Sequence, residues 1–132
     1  MNKIGVASFF MLILCLISFR VGYAQQIKEP KLKFLESRII NVDSIKAGQE
    51  YKVSLSYKNT GQQDLIIKDI NKTCNCTEVV LSKKILRTGE TGQIDISVDT
   101  EGKRGANTIV VTLTTNSVPH SSIIRINLNV TD

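Results

Sequence analysis

The chain has 132 residues, and its 17 basic and 12 acidic residues give a formal net charge of +5 at pH 7. That excess is small and the two signs are interleaved along the chain, which argues against a protein that binds nucleic acid through a positive surface. The length fits one domain. The absence of Trp argues against an antibody-type domain, which buries a Trp beside its disulfide.

Residues 1–24 have the composition of a secretory signal peptide. Lys3 precedes an apolar run from Ile4 to Phe19, and small residues stand at positions 22 and 24, as signal-peptide cleavage requires. We predict cleavage after Ala24, which lowers the net charge to +3 and leaves no membrane-spanning segment. The alternative is a retained anchor, which Arg20 permits, although a spanning helix needs roughly 20 apolar residues. Cys15 follows large residues, whereas lipidation needs small ones, so we assign it to the discarded leader.

The rest of the chain consists of short apolar segments separated by polar turns. Residues 25–34 are polar, contain Pro30 and are predicted to be an N-terminal linker, followed by one domain over residues 35–132. Four segments alternate apolar and polar residues, which places one face of each strand in the core and the other in solvent. They cover residues 51–57, 94–98, 109–113 and 124–130, and shorter apolar segments lie at 39–42, 65–70 and 79–81.

This succession of about seven short strands with Gly and Asn turns, and without a useful helical period, is typical of an immunoglobulin-like antiparallel β-sandwich. The alternation also predicts which side chains are buried. They are Val53, Leu55, Ile67, Ile94, Ile96, Ile109, Val111, Ile124, Ile126 and Leu128.

Cys74 and Cys76 are the two cysteines that remain after cleavage, and Asn75 separates them. On one regular strand their α-carbons would be roughly 6.5 Å apart, at the limit for a disulfide, so a bridge requires a bulge or turn at Asn75. An oxidising compartment does not leave exposed neighbouring thiols free, and we expect shielded thiols without an internal bridge. Packing as small apolar residues at a strand edge is preferred to a soft-metal site or a redox dithiol.

Other candidates for chemistry are few. His120 is the only His and lies in a Pro-containing segment, while Asp69, Asp95 and Asp99 fall on polar faces or strand ends. Zinc-type spacing, a phosphate-binding glycine loop and a hydrolase nucleophile motif are all absent from the sequence. We therefore predict a protein that is not an enzyme, with no catalytic residue, cofactor or metal site.

Five segments together resemble a family of bacterial secreted immunoglobulin-like domains of unknown function. The family pattern contains N-T-G, L-x-I, C-G-C-T, P-G and I-x-V-x-F-(D/N)-T, and major sperm protein and hydin-type domains are its wider relatives. The matching segments are Tyr57–Gly61, Asp64–Asp69, Thr73–Thr77, Gly89-Glu90 and Ile94–Thr100. The resemblance extends over roughly residues 38–130. Asn75 replaces the usual Gly between the cysteines, and Thr88 replaces the usual Pro.

The resemblance implies a bacterial protein of the periplasm or cell envelope and assigns it no function. We expect a secreted, non-catalytic module that acts by contact with an envelope protein, because unpaired sheet edges can accept a strand from a partner. One alternative is a thiol protein that uses Cys74 and Cys76 to bind a soft metal or exchange disulfides. The other is a structural component of the envelope.

Overall fold

The computed structural model describes residues 3–17 and 26–132. Helix α1 covers Lys3–Ile17, within the predicted signal peptide, and the side chains at positions 8–14 are exposed. In the described part of the chain, no helix has the length and apolar character needed to cross a membrane. The predicted cleavage site after Ala24 lies outside the described residues.

Within residues 26–132, nine strands form two sheets that pack into a sandwich. The first sheet has the order β1-β3-β7-β5 and the second the order β2-β9-β8-β4-β6. The strands are β1 (Leu32–Phe34), β2 (Ile39–Lys46), β3 (Glu50–Asn59), β4 (Leu65–Lys72), β5 (Thr77–Leu81), β6 (Ile85–Leu86), β7 (Thr91–Asp99), β8 (Gly105–Thr115) and β9 (Ser121–Thr131). The predicted immunoglobulin-like β-sandwich is confirmed, and the strands beyond the expected seven are the short β1 and β6.

One strand pair departs from the expected antiparallel pattern. Strand β2 pairs in parallel with β9, from Ile39 opposite Arg125 to Lys46 opposite Thr131. The chain changes sheets between β1, which pairs with β3, and β2, which joins the second sheet. Alternation along β2 indicates which of its side chains face inward, but it contains no information about the direction of the neighbouring strand.

The core lies between the two sheets and follows the predicted alternation closely. Nine of the ten predicted core residues are buried, and Val53 is half-buried. The reason is its place on β3, because β1 covers only residues 57–59 of that strand and leaves Val53 at an open sheet edge. Side chains on the opposite face, such as Lys52 and Arg125, are exposed.

The predicted linker over residues 25–34 is wrong at its C-terminal end. Leu32–Phe34 form β1 and pair antiparallel with the end of β3, and Leu32 and Phe34 are half-buried. Pro30 before them is buried as well. The segment is too short for alternation to identify it as a strand, and it is held by pairing with β3. The sandwich therefore begins before residue 35.

Candidate functional site

A four-residue turn carries the chain from the second sheet to the first between β4 and β5. The N–H of Thr77 donates to the carbonyl of Cys74 at 3.2 Å, which closes the turn around Asn75 and Cys76. The turn brings the α-carbons of Cys74 and Cys76 to 5.1 Å, and their sulfurs form a disulfide. The predicted need for a turn at Asn75 is met. The expectation of unbridged thiols is wrong, because the turn removes the extended geometry that would have kept the two residues apart.

Asn75 needs no special backbone to make this turn. Among the described residues, only glycines have a positive φ, so Asn75 lies in a region open to any amino acid. The turn therefore places no steric demand that Asn75 fails to meet.

The disulfide turn, residues 73–77, is anchored to both sheets by hydrogen bonds that do not involve sulfur. The N–H of Thr73 donates to the carbonyl of Val110 at 3.0 Å, and the Thr73 hydroxyl accepts from the N–H of Val110 at 3.0 Å. On the other side, the N–H of Asp99 donates to the carbonyl of Cys76 at 2.9 Å. Strands β8 and β7 thus hold the two ends of the turn.

The two sulfurs have different surroundings, although both cysteines are half-buried. Cys74 Sγ accepts from the N–H of Cys76 at 3.1 Å and lies 3.5 Å from the ammonium Nζ of Lys103. Cys76 Sγ has the hydroxyl of Thr77 at 3.7 Å. A charged donor and a backbone donor therefore converge on Cys74, while Cys76 has one neutral neighbour.

Lys103 belongs to the loop between β7 and β8. Its N–H donates to the carbonyl of Thr100 at 3.1 Å. The buried Thr100 hydroxyl in turn donates to the carbonyls of Lys46 and Gln49. Gly102 allows the loop to adopt a φ of 72°. This loop geometry places Lys103 beside Cys74, and no spacing in the sequence indicates the contact.

An open groove of about 310 Å³ lies beside the disulfide and exposes the Cys76 side of it. It is lined by Glu50, Lys72, Asn75, Cys76, Thr77, Glu78, Ser97 and Asp99. Three carboxylates and one ammonium thus surround the approach to Cys76, whereas Cys74 does not line the groove.

Strand β5, which begins directly after the turn, is the last strand of the first sheet. Within residues 76–82, the even-numbered residues form the backbone hydrogen bonds to β7. The Asp99 N–H donates to the Cys76 carbonyl, and the Ser82 N–H donates to the Gln93 carbonyl. In an antiparallel ladder the odd-numbered residues then direct their backbone N–H and C=O groups away from β7. Thr77 is satisfied, since its carbonyl also accepts from the Lys72 ammonium. The open edge of β5 therefore consists of the backbone groups of Val79 and Leu81.

Of the remaining candidates from the sequence, Asp99 lies beside the disulfide, where its N–H donates to the Cys76 carbonyl and the residue lines the groove. His120 is exposed and lies beyond the end of β8, whereas Cys74 lies near the start of that strand. Asp95 accepts from the hydroxyl of Ser54, and Asp99 accepts from the N–H of Glu101 at 2.9 Å. Within residues 3–17 and 26–132, no three His, Cys, Asp or Glu side chains form a group that could hold a metal ion.

The N-T-G segment is structural. Asn59 is completely buried, and its amide makes four hydrogen bonds to the backbone. Oδ1 accepts from the N–H groups of Lys31 (3.2 Å) and Gly61 (3.0 Å), and Nδ2 donates to the carbonyls of Gln63 (2.7 Å) and Leu86 (2.9 Å). A side chain at Gly61 would collide with the backbone of residues 29–31. The motif therefore joins three backbone segments at the end of the sandwich opposite the disulfide turn.

Residues 32–130 match a family described as "Protein of unknown function (DUF1573)". The chain belongs to the DUF1573 family. The expected family of unknown function is thus confirmed, and the match begins at the first residue of β1. Among curated proteins, none matches the chain.

Solved structures with the same fold come from different organisms and contexts. A protein of unknown function from Porphyromonas gingivalis W83 has a TM-score of 0.67 at 14% identity, over 77% of this chain and 47% of that one. The Vibrio cholerae VesB protease has a TM-score of 0.60 at 19% identity, over 74% of this chain and 31% of that one. The PapD-like domain 7 of human CEP192 has a TM-score of 0.61 at 12% identity, over 79% and 87%.

The DUF1573 chain therefore spans less than half of the Porphyromonas chain and about a third of the Vibrio protease. At these identities the likeness shows a shared immunoglobulin-like fold and nothing of activity.

Proposed function

We propose that this protein is a secreted module of the bacterial cell envelope that acts by contact with another protein, without catalysis. The open backbone of Val79 and Leu81 on β5 is the observation that supports this most directly. An extended segment of a partner can add to such an edge as a further strand, because each added residue pair satisfies backbone groups on both chains.

The side chains beside this edge indicate the chemistry of the added strand. A cleft of about 220 Å³ lies between β4 and the end of β5. It is lined by Ile67, Ile70 and Leu81 together with Lys68, Asp69 and Lys84. Because the exposed lining is mainly polar and includes two lysines, the cleft would accept an acidic side chain from the partner.

The proposed compartment is supported by the leader composition and by the predicted cleavage after Ala24. Intact-mass measurement of the protein recovered from its native host tests this part separately. A mass that begins at residue 25 is expected, and a mass that retains residues 1–24 would indicate a membrane anchor.

Val79→Pro tests the contact site, because it removes an N–H that points away from β7 and leaves the ladder between β5 and β7 intact. Ser54→Pro is the matched control, since Ser54 presents its N–H at the opposite open edge of the same sheet. Tagged wild-type protein and both variants are used to recover partners from the native envelope, after thermal unfolding confirms that they remain folded.

We expect a partner that is retained by wild type and Ser54→Pro but lost from Val79→Pro. Retention of every partner by Val79→Pro would contradict strand addition at β5 and favour a structural component of the envelope.

A further inference from the structure

We infer that the Cys74–Cys76 disulfide exchanges with the thiols of a dithiol protein, that Cys76 is the sulfur attacked, and that Lys103 stabilises the departing sulfur of Cys74. This inference is independent of strand addition at β5. It follows from the unequal surroundings of the two sulfurs and from the position of the disulfide at the surface of the sandwich.

The donors around the disulfide determine which sulfur leaves. In thiol–disulfide exchange, attack is faster when the departing thiolate is stabilised. Cys74 Sγ accepts from the Cys76 N–H at 3.1 Å and faces the Lys103 ammonium at 3.5 Å. Cys76 Sγ has only the Thr77 hydroxyl at 3.7 Å. Negative charge is therefore better accommodated on Cys74, because hydrogen bonds from charged donors are stronger than those from neutral ones.

Access favours the same assignment. Cys76 lines the open groove beside the turn, and Cys74 does not. An incoming thiolate that enters the groove meets Cys76 first, with Cys74 on the far side of the bond that breaks. Attack and departure therefore lie on opposite sides of the disulfide.

The chemistry balances as two successive exchanges. A thiolate of the partner attacks Cys76 Sγ, so that a mixed disulfide forms and the electron pair of the broken bond leaves on Cys74 as a thiolate. The second thiol of the partner loses its proton to solvent and attacks the partner's own sulfur in the mixed disulfide, which releases Cys76 as a thiolate. The partner dithiol is oxidised by two electrons and the Cys74–Cys76 pair is reduced by two. A low-molecular-weight disulfide restores the pair by the reverse reaction.

The fold can accommodate the reduced form. The turn is held by the bonds between Thr73 and Val110, the bond from Asp99 to Cys76, and the bond that closes the turn from Thr77 to Cys74. None of these requires the S–S bond. A disulfide that closes so short a loop also adds little constraint to the unfolded chain. Reduction therefore leaves the site assembled for reoxidation.

Cysteamine is a suitable probe, since it is a monothiol without negative charge and three carboxylates line the groove. The oxidised full-length protein reacts with cysteamine at neutral pH, acid stops the exchange, and the free thiol is alkylated. Peptide mass spectrometry then locates the adduct and the alkyl group. We expect cysteamine on Cys76 and the alkyl group on Cys74 in the folded protein.

Lys103 variants test the role of the ammonium. Lys103→Gln should slow disulfide opening about two- to five-fold, the range for one partly exposed charge pair, and Lys103→Arg should restore most of the rate. Lys58→Gln is the control, because it removes the same charge from β3 at the opposite end of the sandwich. Equal rates for Lys103→Gln and Lys58→Gln would overturn the role of Lys103.

Adducts on Cys74, or equally on both sulfurs, would overturn the assignment of the attacked sulfur. A disulfide that opens only after the protein unfolds would show that the bridge is structural and would overturn the inference as a whole.

Discussion

Replacement of Asn59 by Ala removes the four hydrogen bonds that join three backbone segments. The Lys31 and Gly61 N–H groups and the Gln63 and Leu86 carbonyls lose their partner together. Asn59 itself is completely buried, so little water can replace the amide. A typical buried hydrogen bond contributes about 1 kcal/mol, and unpaired buried groups cost more. We therefore expect Asn59→Ala to lower the free energy of unfolding by about 3–4 kcal/mol.

Urea unfolding followed by circular dichroism measures this loss. Asn129→Ala is the matched control, because Asn129 is an exposed residue of β9 and exposed substitutions usually change stability by less than about 0.5 kcal/mol. Asn59→Asp keeps the two acceptor contacts but places a carboxylate against the carbonyls of Gln63 and Leu86. Its deficit relative to wild type should shrink as the pH falls, since a protonated carboxyl can donate one hydrogen bond. A loss below about 1 kcal/mol for Asn59→Ala would refute the view that this amide holds the segments together.

Three further outcomes follow from the core, the buried tyrosine and the disulfide. Val111→Ala should lower the free energy of unfolding, measured with urea, by about 2–4 kcal/mol, whereas Lys52→Ala should change it little. Equal losses would mean that the assigned faces of the strands are wrong. Burial raises the pKa of Tyr57 above its ordinary value of 10.0. The stabilisation that depends on the neutral Tyr57 phenol is therefore complete below pH 10.0 and is lost as the pH rises through the raised pKa. Unfolding measured from neutral to strongly alkaline pH should show this fall, and Tyr57→Phe should remove it. Reduction of the Cys74–Cys76 disulfide should lower the free energy of unfolding by about 1.6 kcal/mol, which is the loop-closure value for three residues. A loss as large as that of Val111→Ala would instead indicate that the bridge is structural.

The alternation of apolar and polar residues was enough to determine the fold class and nearly all of the predicted core. Along β7, β8 and β9 most apolar residues occupy the inward face, with Val110 and Ile123 among the exceptions, because side chains two apart on a strand share a face. The sequence also identified Cys74 and Cys76 as the candidate site, because they are the two cysteines that remain after the predicted cleavage. These are local properties, and they follow from residue spacing alone.

Three features required the tertiary structure. Strand β2 pairs in parallel with β9, although its alternation would suit either direction. The short β1 exists because β3 offers it a partner. Asn59 binds backbone groups as far away as Lys31 and Leu86.

The chemistry of the disulfide also depends on distant parts of the chain. Cys74 and Lys103 are 29 residues apart in the sequence, and they meet because β4 and the loop after β7 end on the same side of the sandwich. The spacing of the two cysteines led us to expect unbridged thiols, and the turn at Asn75 overturned that expectation by bringing their α-carbons to 5.1 Å. Residue spacing specifies which face of a strand a side chain occupies, whereas contacts across the molecule are specified only when the strands have been placed beside one another.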